Sequence, residues 1–426
     1  MKINEERLLN NLKVLKSFTD TPGNGVTRFS YGYQDNKARE FILKRAEAAG
    51  CSITVDPLRN IRIGLPSNRP GRKSVIAGSH VDTVKNGGWL DGIYGVCGAL
   101  EVMETLCGRA ASGSSCNYEM VIFAEEEGSN FGSTMTGSKF ISGKYGEEDL
   151  DRLQNDDGVS LRNVLEGLKG KGRYEDRYLS GDTSDIANIQ WDFDSIKTML
   201  ELHIEQGPVL DREGLSLGVV DYIFGMRVIE VTLTGVGNHA GATPMNERYD
   251  AMCAAAQCIL EAESIVKGDA DRRTVVTVGK ADILPGCSNV IPEKVTFTLE
   301  IRDRDQSKID SFMDKVKTRI NAIARERGVG CLMYEHSSSS PLRLSERLIS
   351  SMKERAASRD LAFKVMDSGA VHDACMIAEH ADTGMIFVPS INGRSHVPQE
   401  DTDENDLAAG AQFLLDTVIS ELDIKE

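Results

Sequence analysis

Residues 74–92, SVIAGSHVDTVKNGGWLDG, place a short apolar strand directly before a polar, glycine-rich turn. Residues 93–107, IYGVCGALEVMETLC, follow at once and predict a helix. Three further apolar segments predict strands, at 119–124 (EMVIFA), 199–204 (MLELHI) and 384–388 (GMIFV). Strands that alternate with helices favour an α/β protein with a mostly parallel, doubly wound sheet.

A different pattern begins near residue 215. Its predicted elements are strand 226–234, helix 247–266, strands 274–281 and 294–302, helix 307–327 and strand 330–335. This β-α-β-β-α-β order is that of a ferredoxin-like unit. We therefore predict a discontinuous α/β domain (1–214 and 339–426) and a second domain inserted into it (215–338). The polar residues 143–195 predict an irregular insertion in the first domain.

Composition excludes several classes of partner. The chain has 426 residues, of which 40% are hydrophobic and 27% charged, as in ordinary globular proteins. Its net charge of −16 would repel nucleic acid and anionic lipid, and no apolar run approaches the roughly 18 residues of a membrane span. The nine scattered cysteines lack any CxxC pair, which is typical of reduced thiols. We expect a cytoplasmic protein that binds neither nucleic acid nor membranes.

Polar segments follow four of the predicted strands, at 78–92, 124–132, 203–207 and 392–400. In an open parallel sheet, ligands bind beyond the carboxyl ends of the strands. The side chains that these segments would bring to one rim are His80, Asp82, Asp91, Glu126, Glu127, His203 and His396. Imidazoles and carboxylates without thiolates suit zinc or manganese, so the pattern predicts a hydrolytic site with two metal ions.

Each segment alone has a plainer interpretation. A His-x-Asp turn at 80–82 is more often a solvated loop, and three glutamates before a glycine usually form a charged loop. The coincidence of four such segments at strand ends favours the metal site. Residues 132–139 and 235–241 fail the spacing of phosphate-binding and dinucleotide-binding loops, so nucleotide binding is not predicted.

Seven strings carry a resemblance to a known family: GSHVDTVKNGGWLDG, AEEEGSNFG, ELHIEQGPVL, GNHAGATPM, SNVIPEKVTFTLEIRDRD, SGAVHDA and SINGRSH. Over residues 26–415 the chain resembles the hydantoinase/carbamoylase branch of the M20 metallopeptidase-like superfamily. That branch includes allantoate amidohydrolases, N-carbamoyl-L-amino acid hydrolases, β-ureidopropionases and ureidoglycolate amidohydrolases. The motifs are specific for the branch and much less so for the substrate.

The resemblance implies two metal sites that share one aspartate. His80, Asp91 and His203 would hold one ion, and Asp91, Glu127 and His396 would hold the other. Zinc or manganese would occupy both sites, with cobalt or nickel also compatible.

The resemblance also implies roles around the metals. Asp82 would orient the ring of His80, and Glu126 would be the general base. Residues 1–214 and 339–426 would form the catalytic, metal-binding domain, and residues 215–338 a lid and dimerisation domain. His239 of the inserted domain would stabilise developing charge, reaching the active site of the partner subunit in a homodimer. The residues that would hold the substrate are Arg302, Asn289, Gln206 and His372.

Three residues depart from the family pattern: Asn130 where arginine is usual, Val371 in SGAVHDA, and Arg394 shortly before His396. None is a predicted metal ligand, so they bear on the substrate. We predict a binuclear amidohydrolase that cleaves the ureido C–N bond of a small carboxylic acid, most simply allantoate or an N-carbamoyl-L-amino acid. An aminoacylase or dipeptidase of the same fold, and a non-catalytic metal-dependent binding protein, are the alternatives.

Overall fold

The computed structural model describes residues 1–107, 114–168 and 189–424. The chain forms two compact units. Unit 1 comprises Met1–Asp221, Leu344–Met366 and His372–Glu426, and unit 2 comprises Tyr222–Arg343 and Asp367–Val371. Every helix in the described ranges is too short or too polar to cross a lipid bilayer.

The elements found in the described residues are these. The helices are α1 (Glu5–Ser17), α2 (Tyr33–Ala48), α3 (Ile93–Cys107), α4 (Thr136–Ile141), α5 (Asp149–Arg152), α6 (Leu161–Leu168), α7 (Val209–Glu213), α8 (Ala251–Lys267), α9 (Gln306–Glu326), α10 (Glu346–Ser358), α11 (Ala374–Ile377) and α12 (Glu404–Glu421). The strands are β1 (Ser52–Val55), β2 (Ile61–Gly64), β3 (Ser74–His80), β4 (Asn117–Phe123), β5 (Ile196–Ile204), β6 (Leu217–Ile223), β7 (Gly225–Thr234), β8 (Val275–Leu284), β9 (Lys294–Asp303), β10 (Gly330–Ser339), β11 (Leu342–Arg343), β12 (Phe363–Ser368) and β13 (Asp382–Val388).

The sheet of unit 1 has the strand order β1-β2-β4-β3-β5-β13-β6. Its four central strands, β4, β3, β5 and β13, run parallel, whereas the outer pairs are antiparallel. All seven residues of β3 are buried, as expected of a parallel strand that is covered on both faces. The prediction of an α/β fold with a mainly parallel central sheet is confirmed.

The carboxyl ends of these central strands lie at one edge of the sheet because the strands are parallel. β3 ends at His80, and His203 is the penultimate residue of β5. Helix α3 starts two residues after Asp91 and packs on β3, β4 and β5. A Cβ atom at Gly95 would lie 2.3 Å from the carbonyl oxygen of Leu202, so only glycine permits this close approach of α3 to β5.

The predicted insertion at 143–195 falls partly outside the described residues. Its described part contains α5 and α6, and Leu150, Leu161 and Leu165 are fully buried in a cluster with Phe123 of β4. This part of the segment therefore belongs to the core of unit 1.

Unit 2 contains an antiparallel sheet of order β10-β7-β9-β8 with helices α8 and α9 packed on it. Burial alternates along β9, which places Val295, Phe297 and Leu299 against the helices. Helix α8 begins at Ala251 and not at 247, because the Asp250 carboxylate accepts hydrogen bonds from the first turn. The elements follow the β-α-β-β-α-β order expected from the sequence.

Candidate metal centre

Asp91 lies in the turn before α3, and its two carboxylate oxygens face different side chains. Oδ1 lies 3.2 Å from Nε2 of His203 and 3.6 Å from Nε2 of His80. One ligand atom from each of these three residues lies within 4.8 Å of the other two. The three residues therefore form one candidate metal-binding group.

A second group lies on the other oxygen of Asp91. Oδ2 is 3.2 Å from Nε2 of His396, which is 3.5 Å from Oε2 of Glu127. Ligand atoms of Asp91, Glu127 and His396 also lie within 4.8 Å of one another. The structure thus brings together all five predicted metal ligands in two groups that share Asp91.

The donor atoms of both groups fit divalent metal ions. Imidazole nitrogens and carboxylate oxygens are ordinary ligands of zinc and manganese. Two donors that are each about 2.1 Å from a tetrahedral ion lie about 3.4 Å apart. The separations of 3.2 and 3.6 Å on Oδ1 of Asp91 bracket that value. These two separations are therefore compatible with ligands of one ion.

Backbone carbonyl groups orient the two buried histidine rings. Nδ1 of His80 lies 3.0 Å from the carbonyl oxygen of Asp82, and Nδ1 of His203 lies 2.9 Å from that of Ile204. A neutral ring that donates from Nδ1 has its lone pair on Nε2. In both residues this Nε2 faces Asp91, as a metal ligand would require.

Gly92 makes room for one of these rings. Its φ angle is +65°, and a Cβ atom there would lie 2.4 Å from ring atoms of His80. Any larger residue would displace the ring in addition to straining the backbone.

Asp82 lies beside the His80 ring with both its main-chain carbonyl group and its carboxylate. Its carboxylate Oδ1 is 3.6 Å from Nδ1 of His80, farther away than its own carbonyl oxygen. The other carboxylate oxygen accepts the backbone N–H of Glu127 at 3.1 Å. Asp82 therefore contacts residues of both candidate groups, the His80 ring through its main chain and Glu127 through its side chain.

The three consecutive glutamates after β4 have different surroundings. Glu125 has a φ angle of +53°, and its carboxylate accepts the N–H groups of Asn130 and Phe131 at 2.9 Å. Oε2 of Glu126 lies 3.7 Å from Nε2 of His80. Burial, followed by the nearby carboxylates of Asp373 and Glu127, raises the pKa of Glu126 well above its ordinary value. A carboxyl group with such a pKa is suited to accepting a proton near neutral pH.

Gln206 and His372 also lie at this centre. The Nε2 group of Gln206 donates to Oδ2 of Asp91 at 2.6 Å. The ring of His372 is buried, and its centroid is 4.7 Å from that of His203. Because the Gln206 amide contacts the shared aspartate, it would be adjacent to any bound ion.

The other predicted substrate residues, His239, Asn289 and Arg302, lie in unit 2. Nδ1 of His239 accepts the N–H groups of Gly241 and Ala242 at 3.1 and 3.2 Å. These two donors leave Nε2 as the protonated nitrogen, so His239 can donate a hydrogen bond from Nε2. The N–H of Ala240 donates to the carbonyl oxygen of Asn289, which joins the two loops.

Arg302 lies on β9. Its Nε donates to Oε1 of Glu300 at 2.6 Å, and its Nη1 donates to the carbonyl oxygen of Gly369 at 2.9 Å. These contacts hold the guanidinium group in one orientation.

The departures from the family pattern have different surroundings. The side chain of Asn130 donates to the carbonyl oxygen of Ser30 at 2.9 Å and so ties the glutamate turn to an earlier loop. Arg394 is exposed. Val371 is the last residue of the short segment that belongs to unit 2.

Sequence reasoning missed three buried carboxylates around the centre. Glu201 accepts from the Ser79 hydroxyl at 2.7 Å and from the Ala374 N–H at 3.0 Å. Asp373 accepts from Ser138 at 2.5 Å, and Glu400 accepts from both the Asp91 turn and the His396 loop. Glu201 is the second residue before His203, a spacing that offered a weak signal.

A parallel α/β sheet that gathers two histidine-carboxylate groups at the carboxyl ends of its strands defines a class of metal-dependent hydrolases. Comparison with known proteins narrows this class. The sequence model of peptidase family M20/M25/M40 matches residues 76–420. The chain belongs to this family, and it is a hydrolase that acts on a carbon–nitrogen bond.

Several of its relatives are named amidohydrolases. The chain is 35% identical to an N-carbamoyl-L-amino-acid amidohydrolase of Paenarthrobacter aurescens over 97% of each sequence. It is 36% identical to the allantoate amidohydrolase of Escherichia coli (strain K12) over 94% of each. The chain also resembles a crystal structure of an amidase of the hydantoinase/carbamoylase family from Burkholderia multivorans. The two superpose with a TM-score of 0.84 at 30% identity, over 99% of this chain and 98% of that one. The resemblance to the hydantoinase/carbamoylase branch is confirmed.

Proposed function

We propose that this protein is a binuclear metal-dependent amidohydrolase that cleaves the ureido C–N bond of a small carboxylic acid. The observation that carries the proposal is the position of Asp91, whose two oxygens each lie 3.2 Å from a different histidine, His203 and His396. A carboxylate that faces two ligand groups in this way can bridge two ions. Zinc or manganese suits the donor set, with cobalt or nickel as further possibilities.

The side chains around Asp91 have complementary tasks in hydrolysis. Two divalent ions, when bound, would acidify a water molecule and polarise the carbonyl group of the substrate. Glu126 accepts the proton of the attacking water and returns it to the departing nitrogen, for which its burial and raised pKa prepare it. His239 donates from Nε2 to the negative charge that develops on the ureido oxygen.

The carboxylate of the substrate needs a cationic partner in a chain of net charge −16. Arg302 provides it, and Asn289, Gln206 and His372 are the further substrate-binding residues of the proposal. A guanidinium group can bind a carboxylate through two parallel hydrogen bonds, whereas lysine offers a single charge. The names of the relatives support a ureido acid: one acts on N-carbamoyl-L-amino acids and another on allantoate.

We also propose that the protein is a homodimer and that it is cytoplasmic. A homodimer joined through unit 2 would bring His239 of one subunit to the metal centre of the other. The scattered cysteines, which lack any CxxC pair, support reduced thiols and hence a cytoplasmic enzyme.

A substrate panel tests the proposal. The protein is stripped of metal by chelation, reconstituted with zinc, manganese, cobalt or nickel, and assayed with allantoate, N-carbamoyl-L-amino acids, the matching N-acetyl amino acids and dipeptides. We expect no activity without metal and at least tenfold higher kcat/KM for a ureido acid than for the N-acetyl compound with the same side chain. A preference for N-acetyl amino acids or dipeptides would instead identify an aminoacylase or a dipeptidase. Metal binding without turnover of any compound would indicate a binding protein.

A further inference from the structure

Glu400 is a buried carboxylate that lies between two segments of unit 1 more than 300 positions apart in the chain. Its side chain is 1% exposed. Oε1 accepts the N–H groups of Leu90 and Asp91 at 2.8 and 3.0 Å. Oε2 accepts the Ser395 hydroxyl at 2.7 Å and the N–H of His396 at 3.3 Å. Each carboxylate oxygen therefore holds the main chain at one of two candidate metal ligands.

The turn before Asp91 is shaped around this carboxylate. A Cβ atom at Gly88 would lie only 1.9 to 2.2 Å from the carboxylate atoms of Glu400. Only a residue without a side chain lets the turn approach so closely. Position 88 therefore requires glycine if the Glu400 carboxylate is to keep its hydrogen bonds to the turn.

The loop on the other side is held in an unfavourable conformation. His396 has a φ angle of +60°, a left-handed conformation that L-residues with a Cβ rarely adopt. The hydrogen bond from its N–H to Glu400 helps to retain this conformation. In it, Nε2 of His396 lies 3.2 Å from Asp91.

Ser395 links the same groups through its side chain. Its hydroxyl group lies 3.0 Å from Oδ2 of Asp91 and 2.7 Å from Oε2 of Glu400. Its single proton can serve either carboxylate. The shared aspartate, the histidine of the second group and Glu400 thus form one hydrogen-bonded unit.

We propose that Glu400 is a positioning residue that sets the spacing between Asp91 and His396, and thereby the affinity of the second metal site. This inference rests on the proposed binuclear function. Glu400 would not touch the metal or the substrate, since its carboxylate oxygens are occupied by the four donors.

A purely structural role is the competing explanation, and the chain offers a matched control for it. Glu101 is also fully buried and also accepts four hydrogen bonds, from the Asn4 N–H, from Nε and Nη2 of Arg7 and from the Thr105 hydroxyl. It joins α1 to α3 and contacts no predicted ligand. Replacing Glu101 by Gln should therefore weaken the fold without selectively weakening the metal site.

The experiment compares Glu400→Gln, Glu101→Gln and the unaltered protein. Zn²⁺ binding is measured by equilibrium dialysis of metal-free protein, and the Tm of each metal-free protein is measured by circular dichroism. The glutamine amide can accept from only one of the two segments, so we expect Glu400→Gln to bind one of its two ions at least tenfold more weakly, the usual effect of losing a group that orients a ligand. Its metal-free Tm should fall no further than that of Glu101→Gln, whose two affinities should stay within threefold of normal.

Two results would overturn the inference. One is a Glu400→Gln protein that binds both ions within threefold of the unaltered protein. The other is an equal loss of affinity in Glu101→Gln, which would identify a general effect of weakening the fold. If the unaltered protein binds fewer than two ions, both the binuclear proposal and this inference are wrong. If Glu400→Gln binds two ions with normal affinity, only this inference is wrong.

Ser395→Ala keeps the question testable if Glu400→Gln does not fold. It removes one donor and leaves the carboxylate in place, so a weaker loss of the same single ion is expected. Gly88→Ala is a further variant, because its Cβ atom would displace the Glu400 carboxylate. If both Ser395→Ala and Gly88→Ala bind both ions with unchanged affinity, the positioning role of Glu400 is contradicted.

Discussion

Nδ1 of His80 lies 3.0 Å from the carbonyl oxygen of Asp82, while the Asp82 carboxylate accepts the N–H of Glu127. One residue thus connects a predicted ligand of the first metal to a predicted ligand of the second. Because the ring contact uses the main chain, Asp82→Asn should still orient His80, and its main effect should fall on the Glu127 side.

Replacing Glu126 by Gln should lower kcat by about 10² to 10⁴, the usual cost of losing a general base. Metal content, measured by mass spectrometry, should stay at the level of the unaltered protein. The adjacent Glu127→Gln is the matched comparison, because Glu127 lies 3.5 Å from the His396 ring and should lose metal as well as activity. A Glu126→Gln enzyme within tenfold of normal turnover would disprove the role of Glu126.

Replacing Arg302 by Lys should reduce kcat/KM for a carboxylic acid substrate by about tenfold or more, since a hydrogen bond to a charged group contributes about 1.5–3 kcal/mol. The neutral amide of the same compound should change little. Arg304→Lys is the control, because this nearby arginine contacts Asp367 and the ring of Tyr222 and has no predicted ligand role. An unchanged ratio of acid to amide in Arg302→Lys would show that it does not bind the carboxylate.

His239 should act on the metal centre of the partner subunit. Inactive His239→Ala and Glu126→Gln chains, mixed equally and allowed to exchange subunits, would form heterodimers with one intact and one doubly defective site. Half of the dimers would be heterodimers, so about a quarter of normal activity should return. No recovery despite demonstrated exchange would place His239 in its own subunit's site.

Metal binding should release a proton from His396. In the metal-free protein the hydrogen bond to Asp91 raises the pKa of His396 to about 9, outweighing burial. The ring is therefore protonated at pH 7.5 and must lose its proton to bind metal, so affinity should rise as the pH approaches 9. Calorimetry of Zn²⁺ binding in buffers of different ionisation enthalpy measures the release, and His396→Asn should release about one proton fewer. If both proteins release the same number of protons on binding Zn²⁺, the released proton does not come from His396.

The stability of the metal-free protein should change in the opposite direction and fall as the pH rises. The pKa of His396 is raised from 6.5 to about 9 in the folded metal-free protein, so the folded state binds its proton more tightly. The resulting stabilisation is fully present below pH 6.5 and is lost as the pH rises towards 9. Denaturant unfolding of metal-free protein should therefore show a loss of stability across this window that His396→Asn reduces.

The sequence predicted the central strands and the clustering of polar residues at their ends because both follow from local patterns. Uninterrupted apolar runs such as that before His80 indicate buried parallel strands, and the direction of those strands then places their ends together. It did not predict the helix boundary at Ala251, since any of several polar residues could have capped α8.

The supporting carboxylates could not be predicted for a different reason. Nothing in the sequence distinguishes Glu400 from a surface glutamate, and the position of Glu201 two residues before His203 is only a weak signal. Their burial depends on donors contributed by distant segments, such as the N–H of Asp91 and the hydroxyl of Ser79. The same applies to Asp82, because a sequence shows a carboxylate but not which of its oxygens meets the histidine ring.

The order of strands in unit 1 has a consequence for synthesis on the ribosome. Strand β13 lies between β5 and β6, although it follows both in the chain by more than 150 positions. A nascent chain that ends before residue 382 exposes an unpaired apolar edge on β5, the kind of edge that promotes association with other chains. The central sheet can be completed only after β13 has been translated. Folding of unit 1 should therefore be largely post-translational, and chaperones that cover the β5 edge should assist it.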